Sequence, residues 1–308
     1  MNEFENTIKI GELADKKVAD QIVSELLKRN IHVRVHLDSE SGLFVITSED
    51  KATAPDAFDY YRVKVGFAPP PQEMPEEYKK MKETPLGTIS LIFLAISGLV
   101  FISKIFVDDS IYKLFFMTNF HGQDSFLPEI MQGEVWRLIT PVFLHFGFMH
   151  ILFNAMWMKD LGSLIENLKG KTYYLILLLS SGVLSNLAQY FVSKNPFGGL
   201  SGIVYALLGF IWMNKQFDKN STFALPKKDI WILIGWFFLC FTGAIGSIAN
   251  TAHGVGLGVG MLFGILNGAK TSGEYPLGEM LKFSLIAVLF GAGTLSFEFF
   301  ILPMITGH

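Results

Sequence analysis

The spacing of apolar side chains changes character near residue 85. Before it, apolar positions come in short runs. Residues 7–10 alternate as a strand, and residues 14–29 carry Val18, Ile22, Leu26 and Leu27 at the spacing of one helix face. Two alternating runs, 32–37 and 42–47, flank the polar stretch 38–41 and predict a β-hairpin. A second helix is expected over 55–65. Residues 1–68 thus predict a small α+β domain. Five prolines fall between residues 68 and 85 (Pro69, Pro70, Pro71, Pro75 and Pro85), and 69–85 is read as a linker.

Beyond residue 85 the runs lengthen and lose their charges. A helix needs roughly 20 apolar residues to cross a bilayer. Residues 88–103, 138–158, 172–193 and 200–214 each predict one span, the last of them short. Residues 230–269 carry no charge and are too long for one span, so the break is placed at Gly243, Gly246, Ser247 and Asn250. A seventh candidate, 283–302, contains Glu298, which is expected at the outer interface. The predicted fold is an all-α polytopic membrane protein behind an α+β N-terminal domain. Residues 86–270 form its six-helix core, and 271–308 an extra transmembrane helix and tail.

Composition agrees. Half of the 308 residues are apolar and 17% are charged, against about 25% charged in an average soluble domain. Residues 1–85 hold 12 of the 25 Lys and Arg. With a net charge of −3 and no basic stripe, nucleic acid is not an expected partner, whereas membrane lipid is. The single cysteine, Cys240, leaves no internal disulfide, and the polar opening of the chain does not read as a signal peptide. With the N-terminal domain placed in the cytoplasm, the inside loops hold Lys159, Lys169, Lys171, Lys215, Lys219, Lys227, Lys228, Lys270 and Lys282. The outside loops hold Lys104, Lys113, Arg137 and Lys194. The bias sets this orientation, and seven spans leave the C-terminus outside. The apolar part of the 107–137 loop (Phe115, Phe116, Met117, Phe120) is expected to lie in the outer interface.

Polar groups inside spans are costly and tend to be functional. Four stand out: His150, Asn154, Ser201 and His253. At 1.5 Å per residue, Ser201 lies about 21 Å above Lys215 and His253 about 25 Å above Lys270. His150 and Asn154 lie about 24 Å and 18 Å above Glu166. Three helices therefore bring four polar side chains to one layer in the outer half of the membrane. Gly256, Gly260 and Gly264 form a small-residue stripe below His253, and Gly202, Ala206 and Gly209 offer a matching surface. Close contact there sets a hydroxyl beside an imidazole, the arrangement of a nucleophile and its base. Each feature also has a plain packing reading. Membrane serines usually bond their own backbone, histidines a neighbouring helix, and glycine stripes pack. Spacing and depth alone do not decide between them.

Four motifs in order go further. Gly198-Gly199-Leu200-Ser201-Gly202 with Tyr205, Ala252-His253 with Gly256 and Gly260, the run holding His145, His150 and Asn154, and Glu134-Val135-Trp136-Arg137 resemble the signature motifs of the rhomboid family of intramembrane serine proteases. The resemblance covers about residues 86–270. It implies a Ser201–His253 dyad without an acidic third member, with Tyr205 holding the imidazole in place. It also implies an oxyanion site made by the Ser201 N–H, His150 and Asn154, where each aimed donor is worth roughly 3 kcal/mol. Gly199 lets the backbone come close, and His145, Ser185 and Gln189 support the site, the last two at positions that help carry water. Trp236 and Phe237 match gate positions on the fifth span, and residues 243–250 form a cap over the site. The implied substrates are single-span membrane proteins, cut near the outer end of the span at a helix-weakened, small-residue site, in a bacterial inner membrane. No cofactor or metal is implied. Pro141 departs from the pattern, since related enzymes often have His there, and so does a seventh span.

Three other readings compete for the same residues. A catalytically inactive rhomboid-like binder of membrane helices usually lacks the serine or the histidine, and both are present. A transporter would show inverted repeats or a carboxylate in the first six spans. A haem or metal site on His145, His150 and His253 lacks both an HExxH run and a nearby acid.

Overall fold

A computed structural model describes residues 7–67, 76–106, 109–119, 127–193, 196–221, 225–242 and 248–301. The chain divides into two compact units, Met1–Met74 and Pro75–His308.

In the first unit β1 (Ile8–Leu13), β2 (Val33–Leu37) and β3 (Phe44–Ser48) form a sheet of order β1-β3-β2 with antiparallel neighbours. The β2–β3 connection is the predicted hairpin. The Asp38 carboxylate accepts from Ser41 Oγ at 2.6 Å and from the Glu40 N–H at 3.2 Å. Helices α1 (Lys16–Leu27) and α2 (Ala54–Lys64) supply the rest of the core. The buried face of α1 is Ala19, Ile22 and Leu26, whereas Val18 and Leu27, expected on it, are exposed. Strand β1 runs three residues beyond the prediction. Its register shifts at Gly11, which lies against the Tyr61 ring. Tyr61 donates to the Glu12 carbonyl at 2.7 Å.

The second unit is helical. It begins with α3 (Glu76–Glu83), inside the stretch read as linker. Met81 is buried in the helical core and Lys82 pairs with Asp160, so this part is a packed helix rather than a tether. Residues 68–75, the remainder of that stretch up to Pro75, lie outside the described residues. Then come α4 (Thr88–Phe106), α5 (Asp109–Phe115) and the short α6 (Pro128–Met131). Arg137 is buried and ties this outer region together, donating to Glu134 at 2.5 Å and to the Phe116 carbonyl at 2.9 Å. Phe116 and Met117 are buried against the rest of the unit, and Phe120 is outside the described residues.

The span predicted over 138–158 is displaced. Residues Val135–Leu138 and Thr140–Phe143 form 3-10 turns, and the helix begins only at α7 (Phe148–Trp157). It continues through a π turn, Met158–Gly162, into α8 (Ser163–Lys169). Pro141 and the extended Gly147 break the apolar run. Next are α9 (Lys171–Ser193), α10 (Ser201–Phe217), α11 (Lys227–Cys240), α12 (Asn250–Ser272) and α13 (Leu277–Ser296), the last ending in a π turn, Phe297–Ile301. The break predicted within 230–269 thus falls where expected, although residues 243–247 of the expected cap lie outside the described residues. Helix α13 starts six residues before the predicted seventh span. Three described helices, Lys171–Ser193, Asn250–Ser272 and Leu277–Ile301, are long and apolar enough to cross a membrane.

Glycine decides how these helices approach. A Cβ on Gly256 would strike the Gly202 carbonyl, one on Gly260 the Ala206 carbonyl, and one on Gly264 the Phe210 carbonyl. Helices α10 and α12 therefore touch backbone to backbone. On a second face of α12, Gly254 packs against the Thr294 side chain and the Phe290 carbonyl, and Gly258 against the Ala287 carbonyl of α13. Small residues let apolar helices pack closely where no hydrophobic force drives them together. At the far end of the bundle, Glu166 accepts from the N–H groups of Ile89 and Ser90 at 2.8 and 2.9 Å, capping the start of α4.

Candidate functional site

Ser201 opens α10 and so presents a backbone N–H with no partner inside its own helix. The turn before it is held by Gly199, whose φ of +122° suits glycine alone. Its N–H donates to the Pro141 carbonyl at 3.0 Å. A Cβ at position 199 would also come within 2.7 Å of His150 Nε2, so the glycine backbone lies flat against that imidazole. Pro141, the departure noted in the sequence, thus contributes its carbonyl to the turn that leads into Ser201.

His253 stands in the first turn of α12, on the face that packs against α10. The close approach of the two helices brings His253 Nε2 to 2.7 Å from Ser201 Oγ. Tyr205, one turn below Ser201, lies on the imidazole with ring centroids 4.7 Å apart and planes tilted by 37°. Its hydroxyl donates to the Leu233 carbonyl of α11 at 3.1 Å, which fixes the ring from behind. His253 Nδ1 is buried with no hydrogen-bond partner among the described residues. The imidazole thus rests between Ser201 Oγ on one side and the face of the Tyr205 ring on another.

Ser201, His253, His150 and Asn154 share the wall of one cavity of about 1130 Å3. The coincidence of depth inferred from the sequence is thus a coincidence in space. Asn154 donates one amide hydrogen to the His150 carbonyl at 3.0 Å. His145 is buried behind His150, with ring centroids 4.9 Å apart, and its Nδ1 lies 3.1 Å from the Phe143 carbonyl. Ser185 is buried on the other side of Ser201. It lines a second cavity of about 10 Å3 with Ser201, Gly202 and Asn186, the size that holds roughly one water.

The two gate positions differ. Trp236 is 43% exposed, lines the large cavity and packs on Phe153 of α7 with centroids 5.9 Å apart. Phe237 points the other way. It is 2% exposed and lies edge-on to Tyr205 at 5.6 Å, so it backs the site instead of bordering its opening. Phe153 was not singled out in the sequence. Its spacing from His150 and Asn154 puts it near their face, but only the packed helices show its contact with Trp236.

Glu298, expected at the outer interface, is buried within the bundle and reaches the cavity. It accepts from Asn250 N–H at 3.1 Å, from Thr251 N–H at 3.3 Å and Oγ at 2.7 Å, and from Gln189 Nε2 at 3.2 Å. Among the described residues lining the cavity it is the one with a formal charge. Among the described residues, no three His, Cys, Asp or Glu side chains converge as a metal site.

Residues 132–270 match the Rhomboid domain family. The chain is 37% identical over 139 residues to the rhomboid protease GlpG of Pectobacterium atrosepticum, covering 45% of this chain and 50% of that protein. It is 34% identical over 180 residues to the rhomboid protease GlpG of Salmonella newport, covering 57% of this chain and 61% of that protein. The chain thus spans between half and two thirds of the length of these relatives. The likeness and the apolar helices make it a multi-pass membrane protein. The match to the Rhomboid domain takes in every one of these residues from His145 to Gly260, and over that stretch the chain is similar to rhomboid proteases of the GlpG type.

Proposed function

We propose that this protein is an intramembrane serine endopeptidase that cleaves transmembrane segments through an acyl-enzyme formed on Ser201. The observation that carries the reading is the 2.7 Å contact of Ser201 Oγ with His253 Nε2 at the wall of a cavity inside an apolar helix bundle. Ser201 Oγ attacks the scissile carbonyl carbon as its proton passes to His253 Nε2. The carbonyl oxygen takes up negative charge opposite the Ser201 N–H, His150 and Asn154. The C–N bond then breaks and His253 hands its proton to the leaving amine. Water, reaching the site by way of Ser185 and Gln189, attacks the ester. Its proton goes to His253 and returns to Ser201 as the acyl–oxygen bond breaks.

In this reading the N-terminal domain is cytoplasmic, seven helices span a bacterial inner membrane, and the site opens below its outer face. Substrates are single-span proteins with Gly or Pro loosening the helix and a small residue at the cut. A segment enters sideways from lipid where Phe153 and Trp236 meet. Phe237 supports Tyr205 behind that opening.

The test is reaction of the detergent-purified full chain with a fluorophosphonate probe. Wild-type protein is expected to label on a peptide containing Ser201, and Ser201→Ala to lose the label. Labelling that persists in Ser201→Ala would falsify the assignment of the nucleophile.

His150→Ala and Asn154→Ala are expected to fold and to turn over slowly. Loss of one oxyanion donor costs roughly 10²-fold in kcat, and His150→Ala should approach that. Asn154→Ala should lose less, because one of its two amide hydrogens is already held by the His150 carbonyl. Equal, unchanged kcat in both variants, measured on a purified transmembrane substrate, would remove them from the oxyanion site.

A further inference from the structure

Helix α12 lacks a capping side chain of its own. Its N-cap is Ala249, and alanine offers no acceptor to the first N–H groups. Those groups are nevertheless met. Asn250 and Thr251 donate their N–H to Glu298, and Ala252 donates its own to Gln189 Oε1 at 2.9 Å. The next residue, His253, closes the first helical bond onto the Ala249 carbonyl at 3.2 Å. Gln189 Nε2 in turn donates to Glu298 Oε2 at 3.2 Å, so the two acceptors are joined. The cap of the His253 helix is therefore assembled from α9 and from the π turn that ends α13. Glu298 takes four donors on its two oxygens and sets a negative charge at the positive end of α12, where it is favoured.

We propose that Glu298 is a positioning residue for His253, and that the C-terminal helix α13 is thereby part of the machinery acting at Ser201. The imidazole has no partner on Nδ1 among the described residues, so the placing of its backbone in the first turn of α12 largely sets where Nε2 points. Glu298 and Gln189 fix that turn at the three residues immediately before His253. Glycines 254 and 258 clamp α12 to α13 just below, holding Glu298 in register with the turn it caps. Glu298 acts through the backbone and does not touch the reacting atoms. The inference rests on the Ser201–His253 reading above.

The network makes an exchange test available. In Glu298→Gln the new amide turns a donor toward N–H groups that are themselves donors. In Gln189→Glu two carboxylates face one another. In the double variant Gln189→Glu/Glu298→Gln the amide at 298 donates to the carboxylate at 189, and the Asn250 and Ala252 N–H groups again meet oxygens, while the Thr251 N–H, which meets Oε2 in the wild type, faces the amide nitrogen. With hydrogen bonds to a charged group at stake, each single variant is expected to lose roughly tenfold or more in fluorophosphonate labelling rate and in kcat on a transmembrane substrate. KM should stay within about twofold, and the double variant should regain part of the lost rate, because two of the three capped N–H groups recover an acceptor. Single variants that react at the wild-type rate overturn the proposal, as does a double variant no faster than either single. If Glu298→Gln does not accumulate folded, Gln189→Glu and the exchange carry the same decision. Wild-type protein that fails to label sinks the dyad itself. Wild-type and Glu298→Gln labelling equally fast sinks only the role of Glu298.

Discussion

Alanine in place of His253 is expected to lower the cleavage rate by about 10³–10⁴-fold while the bundle stays folded. The imidazole is asked to do two things in the proposed cycle, to accept the Ser201 proton and to return it to the leaving amine. No other described side chain has a basic nitrogen within hydrogen-bond reach of Ser201 Oγ to take over either step. The structural loss is small by comparison. One hydrogen bond to Ser201 goes, with the ring contact on Tyr205, a total of about 2 kcal/mol. Because Nδ1 has no partner among the described residues, its removal leaves no buried donor or acceptor stranded behind it. Thermal unfolding in detergent, set beside initial rates on a transmembrane substrate, separates the two effects. A rate that falls only in proportion to the folded fraction would mean that His253 is a packing residue.

The pairing of Ser201 with His253 was legible because the features that bring the two side chains together are local. The glycines before Ser201 and after His253 are written within a few residues of each side chain, and depth follows from counting along one helix. The same holds for the hairpin of the first unit, where two alternating runs flank a polar turn. What could not be read depends on contacts between distant elements. Glu298 is 47 residues from Thr251, and nothing in its surroundings marks it as a cap. It becomes one because Gly254 and Gly258 admit α13 to the back of α12. Those two glycines are interleaved with the stripe that faces α10, so the sequence showed one glycine-rich face where the helix has two. The helix Glu76–Glu83 was hidden by its charges, since among its described side chains Met81 is the one that is buried. The start of α7 is concealed by an apolar run long enough for one span, although Pro141 and the extended Gly147 inside that run break the helix. For Phe237, position in sequence suggested the gate, whereas helical rotation turns it toward Tyr205.

A single carbon added at Gly260 is expected to separate Ser201 from His253 although it lies two turns below them. A Cβ there would overlap the carbonyl oxygen, carbonyl carbon and Cα of Ala206, all backbone atoms that no rotamer change can move. The helices must part instead, and α10 carries Ser201 five residues before Ala206. Overpacking of this kind costs about 3 kcal/mol at the upper end of its usual range. Here it also removes the close contact that holds two apolar helices together in lipid. Gly260→Ala is therefore expected to unfold at lower temperature and, in the fraction that remains folded, to label slowly with a fluorophosphonate. Gly98→Ala on α4 adds the same carbon where nothing lies within 4 Å. Alanine is the better helix former by about 1 kcal/mol, so that variant should be as stable as wild type or slightly more so. The pair isolates crowding from helix propensity, since the substitution is identical and only the neighbours differ. Equal unfolding temperatures and equal labelling rates in the two variants would mean that α10 and α12 do not pack backbone to backbone. The 2.7 Å contact between Ser201 and His253 would then lose the support that holds it.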